Sequence, residues 1–201
     1  MMDILNGKRL ILASKSPRRD EILTMAGLAH EIFVSGADES SVVYTPGRPG
    51  EYVESLSALK ADCACAAWGE KRDDVLFLSA DTVVYVPATM EVLGKPKDRA
   101  DAYRMLRLLS GSRHQVVSGF TVVMGETHTT RCVSTDVWFR PLSDEEIYDY
   151  IDSSSPYDKA GAYGIQERAS VFVSRIDGDY FNIVGLPVER VYETLRALCG
   201  K

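Results

Sequence analysis

The chain has 201 residues, 45% of them hydrophobic, and a formal net charge of −6 at pH 7. That length suits one domain over residues 1–201, or two closely packed lobes, and needs no staples to bury a core. The acidic balance excludes a general binder of nucleic-acid polymers or anionic membranes, so a polyanionic ligand must be held by a local cluster of cations.

Arg9 to Ala13 reads as a short buried strand. It runs into Ser-Lys-Ser-Pro-Arg-Arg, where Ser16 is the expected N-cap, Pro17 the first helical residue and Gly27 the stop. Ile32 to Val34 suggests a second strand, and residues 35–50 a loop long enough to be functional. A helix should run from about Glu51 to Lys71. Residues 75–86, VLFLSADTVVYV, read as a strand buried on both faces. GKPKD is a loop, and Asp98 caps a helix from Arg99 to Leu109. Gly111 stops that helix, and strands near 115–124 and 129–139 form an antiparallel hairpin around Gly125. Leu142 to Ile151 is a short acidic helix and SSSPYDKAGAYGIQ a glycine-bearing loop. Ser170 to Ile176 is a strand, DGDY a turn, and Pro187 starts a last helix ending near Leu198. This order predicts a mixed α/β sheet flanked by helices, with room for two lobes around a cleft.

No run approaches the ~18 apolar residues of a membrane span, and the N-terminus lacks a signal-peptide core. The expectation is a cytoplasmic protein with no membrane partner. Cys63 and Cys65 lie two apart on a helix and point roughly 200° from each other, which suits neither a chelate nor a mutual disulfide. With Cys132 and Cys199 they read as buried thiols in a reducing compartment.

Three features stand out of pattern. Asp81 is the only charged residue between Val75 and Met90, and an unpaired buried carboxylate costs several kcal/mol. It is therefore paired, metal-bound or catalytic, or it bonds nearby backbone. Lys60 occupies a place on the apolar stripe of Val53, Leu56, Cys63 and Ala67, either snorkelling past it to water or aiming an ammonium into a site. Arg18 and Arg19 open a helix whose first-turn N–H groups and dipole suit a phosphate. A solvated helix start is the competing reading, although cations there oppose the dipole. The late loop adds Asp158, Lys159, two glycines and Gln166, whose amide can read a base edge; an ordinary turn is the alternative. Walker, Rossmann and nucleophile-elbow patterns are missing, and His30, His114 and His128 are scattered without ligand spacing.

LILASKSPRRDEIL, SADTVV, LGKPKDRADAYRMLRLLSG, DKAGAYGIQ and GDYFNIVGLPV occur in the order and spacing of Maf proteins, a family first named for septum formation. The resemblance spans essentially the whole chain. It implies an inosine-triphosphatase-like fold: an elongated mixed sheet, two lobes, a central cleft and often a homodimer. DKAGAYGIQ resembles the branch that hydrolyses dTTP and UTP more than the branch acting on 7-methyl-GTP. The resemblance implies Asp81 as proton acceptor, with Glu39, Lys60 and Lys95 as further catalytic residues. It implies Arg18, Thr82 and Gln166 in substrate choice, and Ser14, Arg19 and Lys159 complete the expected substrate-binding set. The chain departs from the family pattern at Ser155 and Glu167, where members often carry an acidic residue and a glycine.

The reaction expected is hydrolysis of a nucleoside triphosphate to monophosphate and pyrophosphate, with Mg²⁺ or Mn²⁺ held by Asp81 and Glu39. Asp81 is base, ligand or both. The rival from another class is a nucleotide-binding regulator of cell division without turnover, which would need no buried carboxylate.

Overall fold

The computed structural model describes residues 3–69, 73–154 and 156–200. Seven strands form one mixed sheet. They are β1 (Arg9–Leu12), β2 (Glu31–Ile32), β3 (Val75–Val86), β4 (Glu91–Leu93), β5 (Arg113–Met124), β6 (Thr127–Phe139) and β7 (Val173–Asp177). The helices are α1 (Pro17–Met25), α2 (Pro49–Trp68), α3 (Arg99–Leu109), α4 (Asp144–Ser153), α5 (Tyr180–Val184) and α6 (Val188–Leu198). The order along the sheet is β2-β1-β3-β5-β6-β7, with β4 added to β3.

The apolar run of β3 makes it the spine. From Leu76 to Tyr85 it pairs antiparallel with β5. On its other edge it serves two different strands. β1 runs parallel to its first four residues, ending with Leu12 opposite Leu78. β4 runs antiparallel to its last residues, starting with Leu93 opposite Val84. Among the described residues no strand pairs with Ser79 to Val83 on that edge, and the sheet has a notch there.

One face of the sheet carries α2. Its buried residues are Val53, Leu56, Ser57, Ala61 and Ala64. These follow the i, i+3, i+4, i+7 spacing of one helical face. The expected stripe through Cys63 and Ala67 is corrected: Ala67 is exposed and Cys63 half-buried. The opposite face holds the main core, where Leu10, Leu76, Phe120, Leu106, Ile147 and Leu195 come together from strands and from α3, α4 and α6.

Several boundaries differ from expectation. β2 has only two residues, both exposed. α2 begins earlier, at Pro49, and ends at Trp68; the expected continuation to Lys71 falls partly outside the described residues, as does Ser155. β4 and α5 lack any pattern long enough to announce them. DGDY, read as a turn, in fact starts α5, because the Asp179 carboxylate accepts from the Phe181 N–H at 2.8 Å and caps the helix. Ser16 stands at the N-cap of α1 yet makes no side-chain cap bond. None of the four cysteines is in a disulfide, and only Cys199 is fully buried; Cys63 and Cys65 are half-buried and Cys132 is exposed. No helix among the described residues is long and apolar enough to cross a membrane.

Candidate active site

The notch contains Asp81 and Thr82, the only two residues of β3 that are not fully buried. Strand alternation sends them to opposite faces. Asp81 meets α2: the Lys60 ammonium donates to its Oδ1 at 2.5 Å and lies 3.1 Å from Glu39 Oε1. The Lys60 side chain is 18% exposed, so its charge is turned into the cleft and not along the stripe to solvent. What lets α2 come so near is Gly119, directly opposite Asp81 on β5. A Cβ on Gly119 would stand 2.5 Å from the Val53 carbonyl, two turns before Lys60. Glu39 arrives on a short 3₁₀ turn, Glu39–Ser41, capped by Asp38. The negative charge gathered here is felt by Tyr52, whose phenol is pushed up first by burial and then by Asp81 and Glu39.

Thr82, on the other face, meets Arg19. The guanidinium uses all three of its nitrogens: Nε donates to the Gly185 carbonyl at 2.9 Å, Nη1 to Ser14 Oγ at 3.0 Å and Nη2 to Thr82 Oγ1 at 3.3 Å. Arg19 thereby joins the start of α1 to β3 and to the turn after α5. Burial lowers its pKa, and the charge of Asp81 opposes that shift. Arg18 points elsewhere, pairing with Asp158 Oδ2 at 2.9 Å across the cleft. The neighbouring arginines therefore do different work, one bracing the floor and one spanning the mouth.

The late loop closes the far side. Gly161 adopts φ +67, and a Cβ on it would lie 2.8 Å from Val84 Cγ2, so only glycine lets the loop settle on β3. Its N–H donates to the Gly94 carbonyl at 3.0 Å, tying this loop to the one that carries exposed Lys95. Lys159 is almost fully buried and held by its own loop, 2.7 Å from Asp158 Oδ1 and 3.1 Å from Glu167 Oε1. Glu167, a departure from the family pattern, is thus a partner of Lys159. Burial would raise the Asp158 carboxyl, but hydrogen bonds from Lys159 and Arg18 outweigh it and hold it below the usual range. Beneath the loop Tyr163 bonds His114 Nε2 at 2.9 Å. Gln166 is exposed at the rim.

All ten candidate residues, Ser14, Arg18, Arg19, Glu39, Lys60, Asp81, Thr82, Lys95, Lys159 and Gln166, line one cleft of about 740 Å³. That is large enough for a nucleotide. Six cationic side chains face four carboxylates along its walls, a local positive excess in a chain of net charge −6. Asp81 and Glu39 both reach the Lys60 ammonium, and their hard oxygen donors are of the kind a divalent cation takes when phosphate and water complete its shell. Among the described residues no group of three or more acidic, histidine or cysteine side chains forms a ready cage. Sequence reasoning missed Tyr52 and Tyr163, whose residue types are ordinary in the elements that carry them.

The family model for Maf-like protein matches residues 9–198. A dTTP/UTP pyrophosphatase of Bacillus cereus (strain ATCC 10987 / NRS 248) is 43% identical over 191 residues, 95% of this chain and 90% of that protein. A protein of the same name from Thermoanaerobacter sp. (strain X514) is 42% identical, covering 94% of this chain and 95% of its own. A solved nucleoside-triphosphatase / dITP/XTP pyrophosphatase from Mycobacterium abscessus superposes loosely, with a TM-score of 0.39 and 15% identity over 65% of this chain and 72% of that one.

Proposed function

This chain belongs to the Maf family, and from that premise we propose that it is a nucleoside triphosphate pyrophosphatase acting on dTTP and UTP. The observation that carries the reading is the triad in the notch. A carboxylate at 2.5 Å from a lysine ammonium, with a second carboxylate at 3.1 Å, faces a wall of cations at the start of α1. The names of the relatives support the pyrimidine branch.

Phosphoryl transfer asks for positioning and charge neutralisation more than for covalent chemistry. Arg18, Lys60 and Lys95 gather the triphosphate, and Arg19 fixes Ser14 and Thr82 around it. Asp81 orients a water and takes its proton. The water oxygen bonds to the α phosphorus as the α–β bridging oxygen leaves with pyrophosphate. Lys60 pairs with Asp81 in the resting site and meets the incoming phosphate charge. Asp81 and Glu39 would hold Mg²⁺ or Mn²⁺, which supplies charge neutralisation for the phosphate oxygens. Thr82 and Gln166 read the pyrimidine edge, where O4 accepts and N3–H donates. Lys159 sets the loop that carries Gln166.

The test is a panel of canonical nucleoside triphosphates with pyrophosphate and orthophosphate measured separately. UTP and dTTP should lead, each releasing pyrophosphate. A preference for a purine triphosphate, or release of orthophosphate, refutes the proposal.

A further inference from the structure

We infer that Ser118, buried behind Thr82, makes the Thr82 hydroxyl an acceptor only, and so sets the discrimination between uracil or thymine and cytosine. The inference rests on the reading that Thr82 faces the base.

A threonine hydroxyl normally donates or accepts as its partner requires. Left free, it would turn its proton toward a bare ring nitrogen as readily as it would accept from an N–H. A hydroxyl selects between uracil and cytosine only when something fixes where its one proton goes. Here the surroundings do so. Ser118 Oγ donates to the Asn182 carbonyl at 3.0 Å, which uses its only proton. Thr82 Oγ1 lies 2.8 Å from Ser118 Oγ, so that contact must be a donation from Thr82 to Ser118. The remaining lone pairs of Thr82 point toward Arg19 Nη2, at 3.3 Å, and the cleft.

The other arrangement is the weaker one. If Ser118 donates to Thr82, the Thr82 proton has only the Gly185 carbonyl at 3.3 Å, a longer contact than either bond of the first arrangement. The short bond to Ser118 is therefore what fixes the proton inside the protein, and the long contact to Gly185 does not hold it alone. Ser118 itself is fully buried, with 0% of its surface exposed, so no solvent competes for the chain of bonds.

An acceptor at Thr82 complements the N3–H of uracil and thymine. Cytosine presents an unprotonated N3 there, which sets two acceptors face to face in a site where unpaired polar groups are penalised. Gln166 cannot correct this, because rotating its amide leaves the hydroxyl unchanged.

The experiment measures kcat/KM for UTP and CTP, by released pyrophosphate, in the wild type, Ser118→Ala and Ser118→Thr. Alanine removes the acceptor of the Thr82 proton; the UTP-to-CTP ratio should fall by about tenfold or more, with UTP itself within about threefold of wild type. Threonine restores the hydroxyl and should restore the ratio. Ser118→Cys, near in size and a poor acceptor, should give the same fall where alanine loosens the core. A wild-type UTP preference that Ser118→Ala and Ser118→Cys leave unchanged overturns the inference while the substrate reading stands. A wild-type preference for purine triphosphates overturns both.

Discussion

Asp81→Asn isolates the charge of the central carboxylate from its shape. The asparagine Oδ1 still accepts from Lys60, which sits 2.5 Å from the present oxygen, and Lys60 keeps Glu39 at 3.1 Å. The pair is 15–18% exposed, between the exposed pairs worth at most about 1 kcal/mol and buried ones whose breakage costs about 3–5. With the hydrogen bond retained, the stability loss should be about 1–2 kcal/mol, roughly 2–8 °C in Tm for a domain of this size. The amide cannot take a proton. Turnover of UTP should therefore fall by about 10²–10⁴-fold, the scale of a lost general base, or roughly 3–5 kcal/mol of barrier. Pyrophosphate release under saturating UTP, beside a thermal melt of the same preparation, separates the two effects. Turnover within threefold of wild type would refute the role given to Asp81.

Lys60→Met leaves Asp81 and Glu39 facing each other without a cation between them. Added Mn²⁺ should then raise Tm more in the variant than in wild type, and an equal rise in both would count against a shared cation position. Arg19→Lys replaces a three-nitrogen brace with one ammonium and should cost about 3 kcal/mol or more in denaturant unfolding. Arg18→Ala, losing a pair with one exposed partner, should cost under about 1 kcal/mol while raising KM; similar losses for both would dissolve the division between them. His114 is fully buried, and burial depresses its pKa to about 3, with Asp136 opposing. Below the ordinary value of 6.5 the unfolded chain takes a proton that the folded chain refuses. Its contribution is therefore complete above pH 6.5 and declines toward pH 3, by about 2–3 kcal/mol between pH 6.5 and 4.5. His114→Asn should flatten the fall of Tm across that interval, and an unaltered slope would show that another group sets the acid limb.

The sequence displayed the residues of the site better than it displayed the site. Asp81 was legible because a carboxylate in an apolar strand has few inexpensive explanations, and Lys60 because a helical stripe predicts an apolar residue there. The stripe itself was drawn with the wrong members, since Cys63 and Ala67 are as apolar as Ala61 and Ala64, and only the sheet decides which pair is covered. The notch was not legible at all: it arises because β3 pairs with β1 and β4 over different residues, and the three residues of β4 carry no periodicity. Ser118 and Tyr163 gave no signal, being a small polar residue and an aromatic in settings where both are common. The family motifs supplied the grouping that local pattern could not.

One strand carries both halves of the divided edge. β1 with α1 lies on one side of the gap and β4 with the Lys95 loop on the other, while β5 grips β3 from Leu76 to Tyr85. Asp81 and Thr82 sit on the strand that the two flanks share and belong to neither, with Gly119 and Ser118 of β5 directly opposite them. A shift of one flank would move Ser14 and Arg18, and a shift of the other would move Lys95, relative to a pair that β5 holds in register.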